Sequence, residues 1–149
     1  MKAVSSCAPM LMMLLGLVAV APIAVASEVL VDPQPISVPA GLSEKAVAKS
    51  IRLGVAQRGW VVSRQDPGYM EATLNIRSHV AKVGITYDTN SIQIRYLDST
   101  NLDYEVKKGV RRIHRNYLKW INNIVRDISA QLQSAEIESA NAAQTGRQS

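Results

Sequence analysis

Between Met70 and Tyr96, apolar and polar residues take turns, and this alternation limits what the chain can fold into more than any other feature. Met70, Ala72, Leu74, Ile76, Ser78 and Val80 share one side; Glu71, Thr73, Asn75, Arg77 and His79 share the other. Period two over that length predicts a half-buried antiparallel strand, one face against a core and one face wet. Val83, Ile85 and Tyr87 repeat the pattern. Asp88-Thr89-Asn90-Ser91 reads as a hairpin loop, and Ile92, Ile94 and Tyr96 carry the next strand with Gln93 and Arg95 outward. Asp98-Ser99-Thr100-Asn101 ends that strand in turn-forming residues. A short β-branched run, Trp60-Val61-Val62-Ser63, precedes the turn signal Asp66-Pro67-Gly68.

A sheet with one apolar face needs a cover, and two helical patterns supply it. From Ser43 to Arg58, Val47, Ile51 and Val55 line one face, with Ser43 as cap, Glu44 at the positive end of the dipole and Gly59 as the stop. From Ile113 onward, Ile113, Tyr117, Trp120, Ile121, Ile124, Ile128 and Leu132 trace a stripe over five turns. Trp120 reads as a core residue, with Asn116, Asn122 and Asn123 at the surface or helix edge. The expected fold is therefore α+β: a two-layer sandwich of three to four antiparallel strands against two helices, in the order α-β-β-β-α.

The ends of the chain read differently. Lys2 is followed by a charge-free run from Ala8 to Ala26 that closes on Ala24-Val25-Ala26, the pattern of a secretory signal peptide over residues 1–26. The mature protein is then periplasmic or secreted. The alternative is an uncleaved inner-membrane anchor, since the run approaches the roughly 20 residues that span a bilayer. Cys7, the only cysteine, falls in this leader, so the mature domain is expected to be free of disulfides. Residues 27–41 carry Pro33, Pro35 and Pro39 and read as an extended lead-in. Ile36-Ser37-Val38 is either a short edge strand or plain linker. Residues 42–132 form the single domain. Residues 133–149 are polar and are expected to fray from helix into disorder.

Candidate chemistry is sparse. The two histidines, His79 and His114, read as an outward strand residue and a helix-boundary residue. A Ser/His site would have to use Asp98-Ser99, which lacks a nucleophile elbow. A metal site would need His79, His114, Asp98 and Asp103 to meet through the tertiary fold, because no ligand-spacing motif is present. Asp98, Asp103 and Glu105 are better read as solvated turn acids than as a glycosidase pair. No phosphate-binding loop occurs. The expectation is a non-enzyme, without cofactor or metal.

One surface stands out. Between Val106 and Arg126 the chain holds Lys107, Lys108, Arg111, Arg112, Arg115, Lys119 and Arg126 with no acid among them. On a helical wheel Arg112, Arg115, Lys119 and Arg126 cluster opposite the apolar stripe. They are the candidate site for an anionic envelope lipid, lipopolysaccharide or an acidic envelope protein, with peripheral membrane contact. Nucleic acid is not expected outside the cytoplasm. The plain alternative is a charged, solvated helix face.

Ser99-Thr100-Asn101-Leu102 followed by Ile113-His114-Arg115-Asn116-Tyr117-Leu118-Lys119-Trp120-Ile121 resembles a group of small secreted proteins and lipoproteins of Gram-negative bacteria. The group shares a Ser-x-Asn-Leu then Ile-His-x-x-Tyr-x-x-Trp pattern. Gly59-Trp60, Pro67-Gly68 and Ile85-Thr86-Tyr87 extend the likeness over Leu42 to Leu132. The resemblance implies an envelope location and these domain limits, and it carries no activity. Many members have a lipobox at the end of the signal, and this chain has none there. At the level of fold alone the pattern is similar to LptE-like envelope lipoproteins.

Overall fold

A computed structural model describes residues 27–146; residues 1–26, which include the expected signal peptide and Cys7, and residues 147–149 lie outside it. The elements run β1 (Ser27–Val29), β2 (Ile36–Ser37), α1 (Glu44–Ala56), β3 (Val61–Asp66), β4 (Tyr69–Ile76), β5 (His79–Tyr87), β6 (Ser91–Thr100), β7 (Glu105–Lys107), β8 (Val110–His114) and α2 (Arg115–Thr145). The fold is α+β, as the alternation and the two helical stripes require. The sheet is larger than expected. Five antiparallel strands are ordered β2-β6-β5-β4-β3, and β1-β8-β7 form a second sheet of three.

The core lies between the large sheet and the helix pair. Met70, Ala72 and Leu74 of β4, Ala81, Val83, Ile85 and Tyr87 of β5, and Ile92 and Ile94 of β6 are buried on the sheet side. Val47, Ile51 and Val55 of α1 and Tyr117, Ile121, Ile124, Ile128 and Leu132 of α2 meet them. Ser43 caps α1 by accepting the Ala46 N–H. The helices touch at Gly54: a Cβ there would stand 2.7 Å from the backbone nitrogen of Ile128, so only glycine permits this approach.

The long alternation is not one strand. It breaks at Arg77-Ser78, where Arg77 takes φ 54°, and Ile76 pairs with His79 across the turn. The hairpin reverses the phase, so Ala81 rather than Val80 faces the core. The next loop is a hairpin as read, with Asp88 Oδ1 accepting the Asn90 and Ser91 N–H groups. The Asp98-Thr100 segment is strand, not turn. A register shift near Leu97 lets β6 stay paired with β5 as far as Thr100.

The lead-in is part of the domain. Ile36 and Ser37 pair with β6, Leu30 and Ile36 are buried, and Asp32 accepts the Tyr96 N–H. The β7–β8 hairpin was not anticipated. Its turn is Lys108-Gly109, with φ 50° and 78°, a left-handed pair of the kind that joins short antiparallel strands. Ile113 and His114 therefore close β8, and α2 begins two residues later than the apolar stripe suggested. At its far end α2 runs on to Thr145, where disorder was expected, although past Leu132 only Ala135 is even part-buried.

Candidate functional site

The folded chain collects the residues of the Ser-x-Asn-Leu and Ile-His-x-x-Tyr-x-x-Trp patterns at one end of the large sheet. His79 opens β5, Asn101 follows β6, and His114 ends β8 at the start of α2. The Asn101 carbonyl lies 2.6 Å from His79 Nδ1. A carbonyl only accepts, so Nδ1 carries the hydrogen and the neutral ring keeps its lone pair on Nε2. Asn101 Nδ2 donates to the Ser78 carbonyl at 2.7 Å, tying the loop to the β4–β5 turn. His114 has the opposite tautomer. Its Nδ1 accepts the Asn116 N–H at 3.1 Å and caps α2, so its hydrogen sits on Nε2.

The two imidazoles are 6.3 Å apart between centroids, and His79 lies 6.5 Å from the Trp120 ring. His79 is a strand residue and His114 a helix-boundary residue, as read, and the β6–β7 connection with the His114–Leu102 bond brings them together from 35 residues apart. Trp120 is half-buried against the core rather than enclosed in it. Asp98 and Asp103 do not join the histidines as a metal set; among the described residues no group of three or more possible ligands forms. The His114 cap also works against metal, because the ring's one lone pair is already in use.

Beside this pair is a tyrosine cluster. Tyr96 stacks on Tyr104 at 4.7 Å and meets Tyr117 edge-on at 5.6 Å. Tyr117 is buried, and burial holds its phenol well above its ordinary pKa. Ser99 Oγ is 2.9 Å from Tyr96 Oη, and Asp98 accepts the Ser99 N–H. The Asp98-Ser99 pair is thus spent on local structure. The His114 N–H donates to the Leu102 carbonyl at 2.8 Å, and Leu102 and Ile113 are buried below. Every residue named in the pattern either fastens this corner or packs against it.

The cationic candidates divide. Arg115, Lys119 and Arg126 lie on the exposed face of α2, as the wheel placed them. Arg112 does not belong with them. It is on β8, half-buried, and its guanidinium donates to the hydroxyl and carbonyl of Ser27. The wheel failed there because the helix starts at Arg115. Arg111 pairs with Asp32 at 3.2 Å and Lys107 with Glu105 at 2.8 Å. Arg115, Lys119 and Arg126 form no ion pair among the described residues; Arg126 bonds the neutral Asn123 side chain.

A second polar group, missed in the sequence, occupies the outer face of the large sheet. Lys82 Nζ is 2.6 Å from Glu71, whose other oxygen accepts from Tyr69 at 3.2 Å and faces Arg64 at 3.7 Å. The Lys82 hydrogen bond holds Glu71 below the usual carboxylate range and raises Lys82. Burial, then the Glu71 charge, raises Tyr69. The Tyr69 ring lies across Gly84, where a Cβ would come within 3.0 Å of the phenol oxygen. Glu71 was read as an outward residue, but its pairing with Lys82 depends on the β4–β5 register.

No protein-family model, curated protein or solved structure matches the chain.

Proposed function

We propose that the chain is a non-enzymatic binding module of the cell envelope, acting in the periplasm or as a secreted protein. One observation carries this reading over a catalytic one: His79 Nδ1, the Asn101 amide and His114 Nδ1 are spent on loop closure and helix capping, and the His79 Nε2 lone pair has no bonded nucleophile among the described residues. A base would need a lone pair aimed at a substrate beside a nucleophile. Here the nearby hydroxyl, Ser99, is bonded to Tyr96. The binding surface is the exposed side of α2 with Arg115, Lys119 and Arg126, and its partner is an acidic envelope protein or an anionic lipid.

The second reading, an accessory that binds anionic lipid or lipopolysaccharide, is favoured by the lack of ion pairs on those three cations among the described residues. A photoreactive residue at Lys119, introduced in intact cells, tests the module. A discrete adduct from position 119, absent from position 86 on the far sheet face, is expected. No adduct with protein or lipid at position 119 would refute the assignment of that face.

A further inference from the structure

We propose that the outward face of the small sheet, centred on Val29, Val31 and Val110, is a membrane-contact surface that rests on anionic lipid headgroups. Three of the nine large hydrophobics left exposed among the described residues, Val29, Val31 and Val110, lie on this face. Register puts the key three together. Val29 is opposite Arg112, and Val110 is opposite Lys107. The Leu30 N–H bonds the Arg111 carbonyl, which continues the pairing and brings Val31 beside Val110. Ile113 and Leu30 point the other way, into the core. Val29, Val31 and Val110 are 45%, 65% and 43% exposed, so three apolar side chains share one solvent-facing patch.

The position of the patch selects the occupant. Ser27 follows directly on the charge-free run Ala8 to Ala26. Ser27 to Val31 is an extended stretch, so the patch is at most about 14 Å along the chain from the end of that run. Arg112 fastens Ser27 to β8 and prevents the sheet from swinging away. In the uncleaved form, with the run retained as an anchor in a bilayer, this face lies within about 14 Å of chain from the membrane surface. Lys108 at the hairpin tip and Arg112 beside Val29 supply positive charge, and the one acid on the face, Glu105, is neutralised by Lys107. Apolar side chains framed by cations suit an anionic interface. The inference rests on the envelope reading and adds to it an orientation.

The test uses the full chain with its leader, in vesicles of phosphatidylcholine and phosphatidylglycerol. Cys7→Ser with Val110→Cys gives one thiol for an environment-sensitive fluorophore; Cys7→Ser with Thr86→Cys gives the control on the outer face of the large sheet. With vesicles present, emission from position 110 should move to shorter wavelength and be quenched by spin-labelled lipid, while position 86 stays in water. Adding Val31→Asp should return position 110 to water without unfolding the domain, since Val31 is exposed. If the protein floats with vesicles but position 110 behaves like position 86, the proposal fails and the envelope reading stands. If the protein does not float, the proposal also fails, and the position 119 crosslink decides the envelope reading separately. Protection of position 110 before vesicles are added would assign the patch to a second copy and overturn the lipid assignment.

Discussion

Gly54→Ala sets two known effects against each other. In an open helix, alanine in place of glycine stabilises by about 1 kcal/mol. At Gly54 the new Cβ would lie 2.7 Å from both Ile128 N and Ile128 Cγ1, and 2.8 Å from Ile128 Cα. Favourable carbon contacts lie near 3.5–4.0 Å, so the helices must separate locally by about 1 Å, a gap that forfeits a quarter to a half of the dispersion along the seam. Overpacking of this kind costs about 1–3 kcal/mol, and the upper end applies because backbone atoms cannot rotate away. Subtracting the helix-propensity gain leaves a net loss of about 2 kcal/mol. For a domain of this size, that lowers Tm by roughly 8 °C. Urea and thermal melts followed by far-UV circular dichroism would measure it. Ile128→Ala in the same chain should not rescue the loss, because two of the three clashing atoms are backbone. A neutral or stabilised Gly54→Ala would show that α1 and α2 do not approach as described, and the core geometry that places α2 would need revision.

Other outcomes follow from the site. Reversing Arg115 and Lys119 to glutamate should remove salt-sensitive binding to phosphatidylglycerol vesicles if the α2 face binds lipid; binding that survives reversal, or survives 1 M salt where screening reaches about 3 Å, would rule that face out. His114→Ala should cost about 1 kcal/mol through loss of the α2 cap, whereas His114→Asn should recover most of it in the same melts. Equal loss in both would mean that the ring matters for packing rather than for its acceptor. Glu71, Asp88 and Asp127 are held below their ordinary pKa, Glu71 by Lys82, Asp88 by the Asn90 and Ser91 N–H groups, and Asp127 by Arg58. A depressed carboxylate gives stability that is complete above its unfolded pKa and is lost as pH falls through its folded pKa. Acid titration of stability should therefore show a decline that begins near pH 4, and Asp127→Asn should flatten it.

The helices and the sheet core were legible because they depend on local periodicity. Val47, Ile51 and Val55 recur at helical spacing, and the buried residues of β6 alternate. The rest was hidden for two physical reasons. Short strands carry too few residues for a period: β7 and β8 have three and five, and only the Lys108-Gly109 turn marked them. Strand phase also depends on turns. One two-residue turn at Arg77-Ser78 moved Val80 off the core face, and one register shift near Leu97 carried Asp98 to Thr100 back into the sheet.

The same limits explain why the most recognisable pattern in the chain had no readable role in the sequence. Asn101 is 22 residues from His79, and His114 and Tyr117 come later still, so only tertiary pairing shows that they brace one corner. Helix α2 leaves that corner through the His114 cap, β5 enters it at His79, and the Asn101 loop joins the two. A small domain with no disulfide in its described part has to fix the angle of a 31-residue helix by such local bonds. A loosened corner would change where α2 carries Arg115, Lys119 and Arg126 relative to the valine patch. The residues of that pattern can therefore be demanded by the direction of a helix, and here the surfaces whose placement they control are the place to look for the partner.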